Sequence, residues 1–113
     1  MILIHRLAEI KDIEPDIWYE FNLQTDDALI SLMLLLKDDK FTAFKNSCPH
    51  QGRRMNYSLG QFLITSEGNL VCPAHGAEFK PDDGLCINGP CLGQSLEFIH
   101  IQLNDDCVFA IIP

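Results

Sequence analysis

Two short runs constrain this chain more than anything else in it. They are Cys48-Pro49-His50 and Cys72-Pro73-Ala74-His75, with twenty-one residues between the first histidine and the second cysteine. Each supplies one thiol and one imidazole, each has proline directly after its cysteine, and each is closed by glycine, Gly52 or Gly76. Proline fixes φ and removes a backbone donor, while glycine permits the positive φ of a tight reversal. Both runs therefore read as stiff, sharply turned loops. Gaps of one and two residues keep each Cys/His pair within a single loop, so two loops can grip one prosthetic group from opposite sides.

The flanking sequence supplies strands to carry those loops. Residues 2–7 form a short opening strand, and 10–15 a turn or single helical turn punctuated by Pro15. Residues 18–24 alternate apolar with polar side chains. Segments 28–36 and 40–44 flank Lys37-Asp38-Asp39-Lys40, a hairpin signal. Segments 61–65 and 69–72 flank Ser66-Glu67-Gly68, and 96–103 and 107–112 flank Asn104-Asp105-Asp106. The run Ser31-Leu32-Met33-Leu34-Leu35-Leu36 is too short for a helix and is bounded by Asp-rich turns, so it too reads as strand. Short strands joined by Gly, Asp and Asn turns predict one all-β domain over 1–113, an antiparallel sandwich or barrel. Segment 46–92 differs in texture: four of the six prolines lie there, with most of the glycines and both Cys/His runs. That density predicts a loop-rich subdomain inserted into a base made of 1–45 and 93–113. Residues 56–61 read as an extended excursion within it.

Charge narrows the function. Eight Lys and Arg against sixteen Asp and Glu give a net charge of −8. This argues against nucleic acid, where cationic contacts to phosphate dominate affinity, and against anionic membrane surfaces. It suits a transient partner with a basic docking face, and it also serves solubility. His5 and Arg6 interrupt the opening apolar residues too early for a signal h-region, and no apolar run approaches the length of a membrane span. A cytoplasmic setting is expected, where five cysteines need not form a disulfide framework. Cys107 lies in an apolar run and reads as a core thiol. Cys86 and Cys91 flank Ile87-Asn88-Gly89-Pro90 and could approach each other, but a reducing compartment argues against a bond between them.

The chemistry follows from the donor set. Iron–sulfur clusters are usually held by four cysteines, and placing two histidines on one of two irons defines the Rieske centre. Two neutral imidazoles in place of two thiolates leave the oxidised [2Fe–2S] core formally neutral, which eases the arrival of an electron. Two Cys and two His are also a zinc composition. Zinc fingers, however, pair Cys with Cys and His with His, whereas each loop here mixes them.

The paired runs resemble those of the Rieske ferredoxin family. The resemblance covers most of the chain and is most specific over 48–52 and 72–90. Gly89-Pro90 resembles the proline-containing loop that covers the cluster in that family. The resemblance implies one [2Fe–2S] cluster, with Cys48 and Cys72 on one iron and His50 and His75 on the other. It implies an antiparallel β fold carrying a smaller cluster-binding subdomain. It also implies a soluble one-electron carrier between a flavoprotein reductase and a terminal oxygenase, not an enzyme; the alternative is a small Rieske-type subunit of a larger oxidoreductase, such as a nitrite-reductase-like enzyme. A Rieske oxygenase would further need a mononuclear iron on two histidines and a carboxylate. Only His5 and His100 remain, each within an expected strand, where a surface or core role is favoured.

Two departures refine the type. Rieske proteins of respiratory complexes carry an extra cysteine in each loop, forming a disulfide, where this chain has Arg53 and Ala74. They also place serine two residues and tyrosine four residues after the second histidine, as hydroxyl donors to sulfur. Here Ala77 and Phe79 stand instead. The resemblance therefore implies no disulfide beneath the cluster and a potential toward the low end of the range, about −150 mV. Arg53-Arg54 is a basic pair beside the first loop, expected to be solvated. Trp18 and Tyr19 are expected in sheet packing.

Overall fold

In the computed structural model, which describes residues 2–112, one strand separates two cores. The strands in chain order are β1 (Leu3–Glu9), β2 (Trp18–Gln24), β3 (Leu29–Lys37), β4 (Lys40–Lys45), β5 (Asn56–Ser58), β6 (Gln61–Ile64), β7 (Leu70–Val71), β8 (Glu78–Phe79), β9 (Cys86–Asn88), β10 (His100–Asn104) and β11 (Cys107–Ile112). They form three antiparallel sheets, ordered β1-β11-β10, β2-β3-β4 and β5-β6-β7-β8-β9. A single 3-10 turn at Ile10–Asp12 is the only helical segment among the described residues.

The leucine-rich run is explained by β3's central position. A strand buried on both faces needs no polar alternation, and successive side chains point to opposite faces. Leu32 and Leu34 therefore enter a core with Ala43, Ile99, Val108, Ala110 and Ile112, against the first sheet. Met33 and Leu35 enter a second core with Trp18, Phe44, Leu70, Phe79 and four cysteines. At the same exchange point on β4, Ala43 faces one core and Phe44 the other.

Paired aspartates set the hairpins. Asp38 and Asp39 take φ values of 51° and 62°, and Asp105 and Asp106 repeat them. Two consecutive positive φ values make the two-residue turn whose twist matches that of the strands, and Asp tolerates the left-handed region better than most residues. β1 runs two residues beyond expectation and carries a bulge between Arg6 and Ala8. The expected strand over 96–103 is split. Residues 97 and 99 bond to β4, through Lys45 N–H to Glu97 O (2.8 Å) and Ile99 N–H to Ala43 O (2.9 Å). Only from His100 does the chain join the first sheet, so this segment crosses between two sheets. The excursion expected at 56–61 is a tight hairpin of β5 and β6. β8 and β9 escape sequence pattern because two or three residues carry no periodicity.

Gly84 is a packing glycine. Its φ is +73°, and a Cβ there would stand 2.7 Å from Phe44 Cε1 and 3.2 Å from Leu96 Cβ. Gly68, at φ +88°, has open space instead. Gly84→Ala is expected to destabilise the protein by about 2–4 kcal/mol, combining backbone strain with overpacking. Gly68→Ala should cost about 1 kcal/mol. Urea midpoints of the two variants, compared with the parent, check the difference.

Candidate metal centre

The two Cys/His loops share one hydrogen-bonded frame. In the first, Cys48 N–H donates to Arg53 O (2.7 Å) and Cys48 O accepts from Gly52 N–H (2.7 Å). In the second, Cys72 N–H donates to Ala77 O (2.7 Å) and Cys72 O accepts from Gly76 N–H (2.9 Å). Each ring thus closes between a cysteine, a glycine four residues on and a carbonyl five residues on. Gly52 and Gly76 hold the reversals at φ 69° and 74°. Within this common frame the histidine stands two residues after the cysteine in one loop and three in the other.

The four sequence-predicted residues meet as two pairs, cysteine with cysteine and histidine with histidine. Cys48 and Cys72 are each 2% exposed, and the Cys72 thiol sits against that of Cys48. His50 and His75 are exposed, their ring centroids 4.9 Å apart and their planes at 82°, edge to face. Among the described residues no three His, Cys, Asp or Glu side chains converge on one point. The donor set is a buried pair of sulfurs and an exposed pair of nitrogens, which suits two metal ions of one cluster better than a single tetrahedral ion.

Electrostatics agree with that fit. Burial pushes the Cys48 thiol above its ordinary value, the His50 backbone N–H bonded to it pulls the other way, and the adjacent Cys72 thiol adds to the rise. The Cys48 sulfur is a poor anion until a cation shares its charge. Cys91 is pushed up to about 12, first by burial and then by its neighbours Cys86 and Cys48.

The structure adds supports that no motif marked. Asn46, 4% exposed, precedes the first loop. Its Nδ2 donates to Asn56 Oδ1 (2.8 Å) and Ser31 Oγ (3.1 Å), and its Oδ1 accepts from Met55 N–H (2.7 Å). The loop is thereby pinned to β3 on one side and β5 on the other. Arg53 and Arg54 are both exposed, and Arg54, its side chain 47% exposed, is also paired: it donates to Glu20 Oε2 at 3.0 Å, Asn22 Oδ1 at 3.3 Å and Ser31 Oγ at 3.3 Å. The Glu20 carboxylate also accepts from Gly60 N–H at 2.7 Å, tying β2 to the β5–β6 hairpin. Pairings this distant in sequence leave no local signal. His5 and His100 lie in the first sheet, opposite Ala110 and Ile111, away from both loops. His5 Nε2 is buried without a protein partner. Trp18 packs on Phe44 and Phe62, with centroids at 6.2 and 6.5 Å.

Residues 5–104 match the family model of the Rieske [2Fe-2S] domain. Among curated proteins, the ferredoxin component of the alkene monooxygenase system of Xanthobacter autotrophicus is 33% identical over 57 residues. That match spans 50% of this chain and 43% of the relative. Among solved structures, the ferredoxin of carbazole 1,9a-dioxygenase from Nocardioides aromaticivorans IC177 has a TM-score of 0.69 at 17% identity, covering 95% of both chains. The terminal oxygenase of carbazole 1,9a-dioxygenase from Novosphingobium sp. KA1 gives 0.73 at 16% identity, over 94% of this chain and 29% of that one. At such identities these superpositions speak for the fold.

The supports generate a test. Asn46→Ala would strand the buried Met55 N–H and release Asn56, so a loss of about 1–3 kcal/mol is expected. Urea unfolding measures it, and the same preparation should retain less iron per folded chain than the parent.

Proposed function

The chain belongs to the Rieske [2Fe–2S] family, and on that premise we propose that it is a one-electron carrier passing electrons from a flavoprotein reductase to a terminal oxygenase. It is proposed to be the electron-transfer component of such a system and not its enzyme. The observation that carries this is the pairing by type: exposed His50 and His75 edge to face, and buried Cys48 and Cys72 in contact. Cys48 and Cys72 would hold one iron and His50 and His75 the other. When bound, the cluster supplies a site that accepts and returns one electron at a time.

The chain's own residues prepare that site. The second core closes over the sulfur side and excludes water from it. The two imidazoles mark the side that a partner can approach, which shortens the path across a docked interface. With a net charge of −8, association with a basic docking face is favoured at long range and weakened by salt. In this proposal segment 46–92 holds the cluster while 1–45 and 93–113 form the base. No helix of the described residues is long and apolar enough to cross a membrane, and the proposed setting is the cytoplasm.

The potential should be low for the type. Ala77 and Phe79 are both fully buried, and neither brings a hydroxyl to sulfur. Iron and acid-labile sulfide should be found in equal amounts, and the reduced protein should give a rhombic EPR signal averaging below the free-electron value. Zinc without sulfide overturns the proposal. A redox titration should place the midpoint at about −150 mV. Phe79→Tyr should raise it by about 40 mV, the one-electron equivalent of a roughly 1 kcal/mol hydrogen bond.

A further inference from the structure

Cys86 and Cys91 lie outside the two Cys/His loops, yet their sulfurs are placed for chemistry of their own. Both residues are 1% exposed, and their Sγ atoms are 3.2 Å apart. A bonded pair sits at about 2.05 Å, so closure requires a shift of roughly 1 Å. The backbone around them is already closed into a compact loop. Cys86 N–H donates to Gln94 O (2.8 Å), Gly93 N–H to Cys86 O (3.1 Å) and Gln94 N–H to Cys91 O (2.9 Å). The Cys91 S–H donates to the Cys86 sulfur, and the Cys86 S–H donates to Asn88 O at 3.2 Å. Gly89, between the two cysteines, lies so close to the second Cys/His loop that a Cβ on it would be 2.8 Å from Ala77 Cα.

We propose that Cys86 and Cys91 are a redox-active dithiol, a modification site that closes to a disulfide under hydrogen peroxide and reopens under a dithiol reductant. The Cys86 sulfur attacks one peroxide oxygen, the O–O bond breaks, and the other oxygen leaves as water with the thiol proton. Cys86 is then a sulfenic acid. The Cys91 sulfur attacks the Cys86 sulfur, the S–O bond breaks, and a second water leaves with the Cys91 proton. The two sulfurs together lose two electrons, and the peroxide gains them. Burial selects an oxidant of peroxide size over a bulky disulfide. The closed bond would pin Gly89-Pro90 against Ala77, two residues beyond His75. The proposal rests on the sulfur pair, and because Cys91 also adjoins Cys48 the test is made with the metal centre loaded.

The test uses the cluster-loaded protein. It is exposed to hydrogen peroxide and denatured in acid, free thiols are alkylated, and the chymotryptic peptide containing both cysteines is weighed. The expected product is lighter by two hydrogens, unalkylated, and converted to the doubly alkylated form after dithiothreitol. Cys107→Ser should leave this unchanged, and Cys91→Ser should abolish it. Two alkyl groups after peroxide, a sulfinic acid on either cysteine, or a disulfide drawn to Cys48 or Cys107 overturns the proposal. The parent protein's peptide mass decides this even if a variant fails to fold. Iron and sulfide analysis before treatment reports on the metal centre separately, so either assignment can fail with the other intact.

Discussion

The burial of β3 on both faces is the constraint on which the rest of the structure depends. Its odd and even residues serve different cores, so one strand carries the packing of the base and of the metal centre at once. Its Ser31 also supplies the hydroxyl to which Asn46 and Arg54 are bonded. The first Cys/His loop is thus fixed to the same strand that organises the hydrophobic packing. A polar residue anywhere over the buried stretch would expose one core or the other, which accounts for a run with no polar alternation.

Arg54 and Asn46 show how side-chain bonds reinforce this layout. Glu20 has a side chain only 2% exposed and faces Arg54 at 3.0 Å. A carboxylate buried to that degree needs its partners, because removing the cation leaves charge without compensation. The partners come from residues 22, 54 and 60, so the bond set ties β2 to the segment after the first Cys/His loop and to the β5–β6 turn, although β2 and β6 lie in different sheets. The hairpin of β5 and β6 is held by this cluster as well as by its own short ladder.

How far the sequence discloses this molecule differs by feature. The hairpins around Asp38-Asp39 and Asp105-Asp106 are legible because the turn chemistry is local and the flanking runs are long. The four candidate ligands are legible because metal donors at fixed short gaps are rare by chance. β8 and β9 are not, being too short to show a period. The split of 96–103 between two sheets is invisible for a different reason: its backbone bonds go to β4 and Gly84, which lie far away in sequence. The contact of Cys86 with Cys91 is only suggested by their spacing, since a four-residue interval fits both a closed loop and an open one. Arg54 looks like a free cation until Glu20 is placed beside it.

The shared frame of the two Cys/His loops has a consequence for protein engineering. Each ring is defined by six residues and two backbone bonds, and only the position of the histidine within it differs. The frame therefore reads as a portable cassette, in which the backbone ring is the same whichever of its two positions carries the histidine. Grafted as a facing pair onto the tips of other antiparallel hairpins, with one offset of two and one of three, such cassettes would carry their own handedness with them.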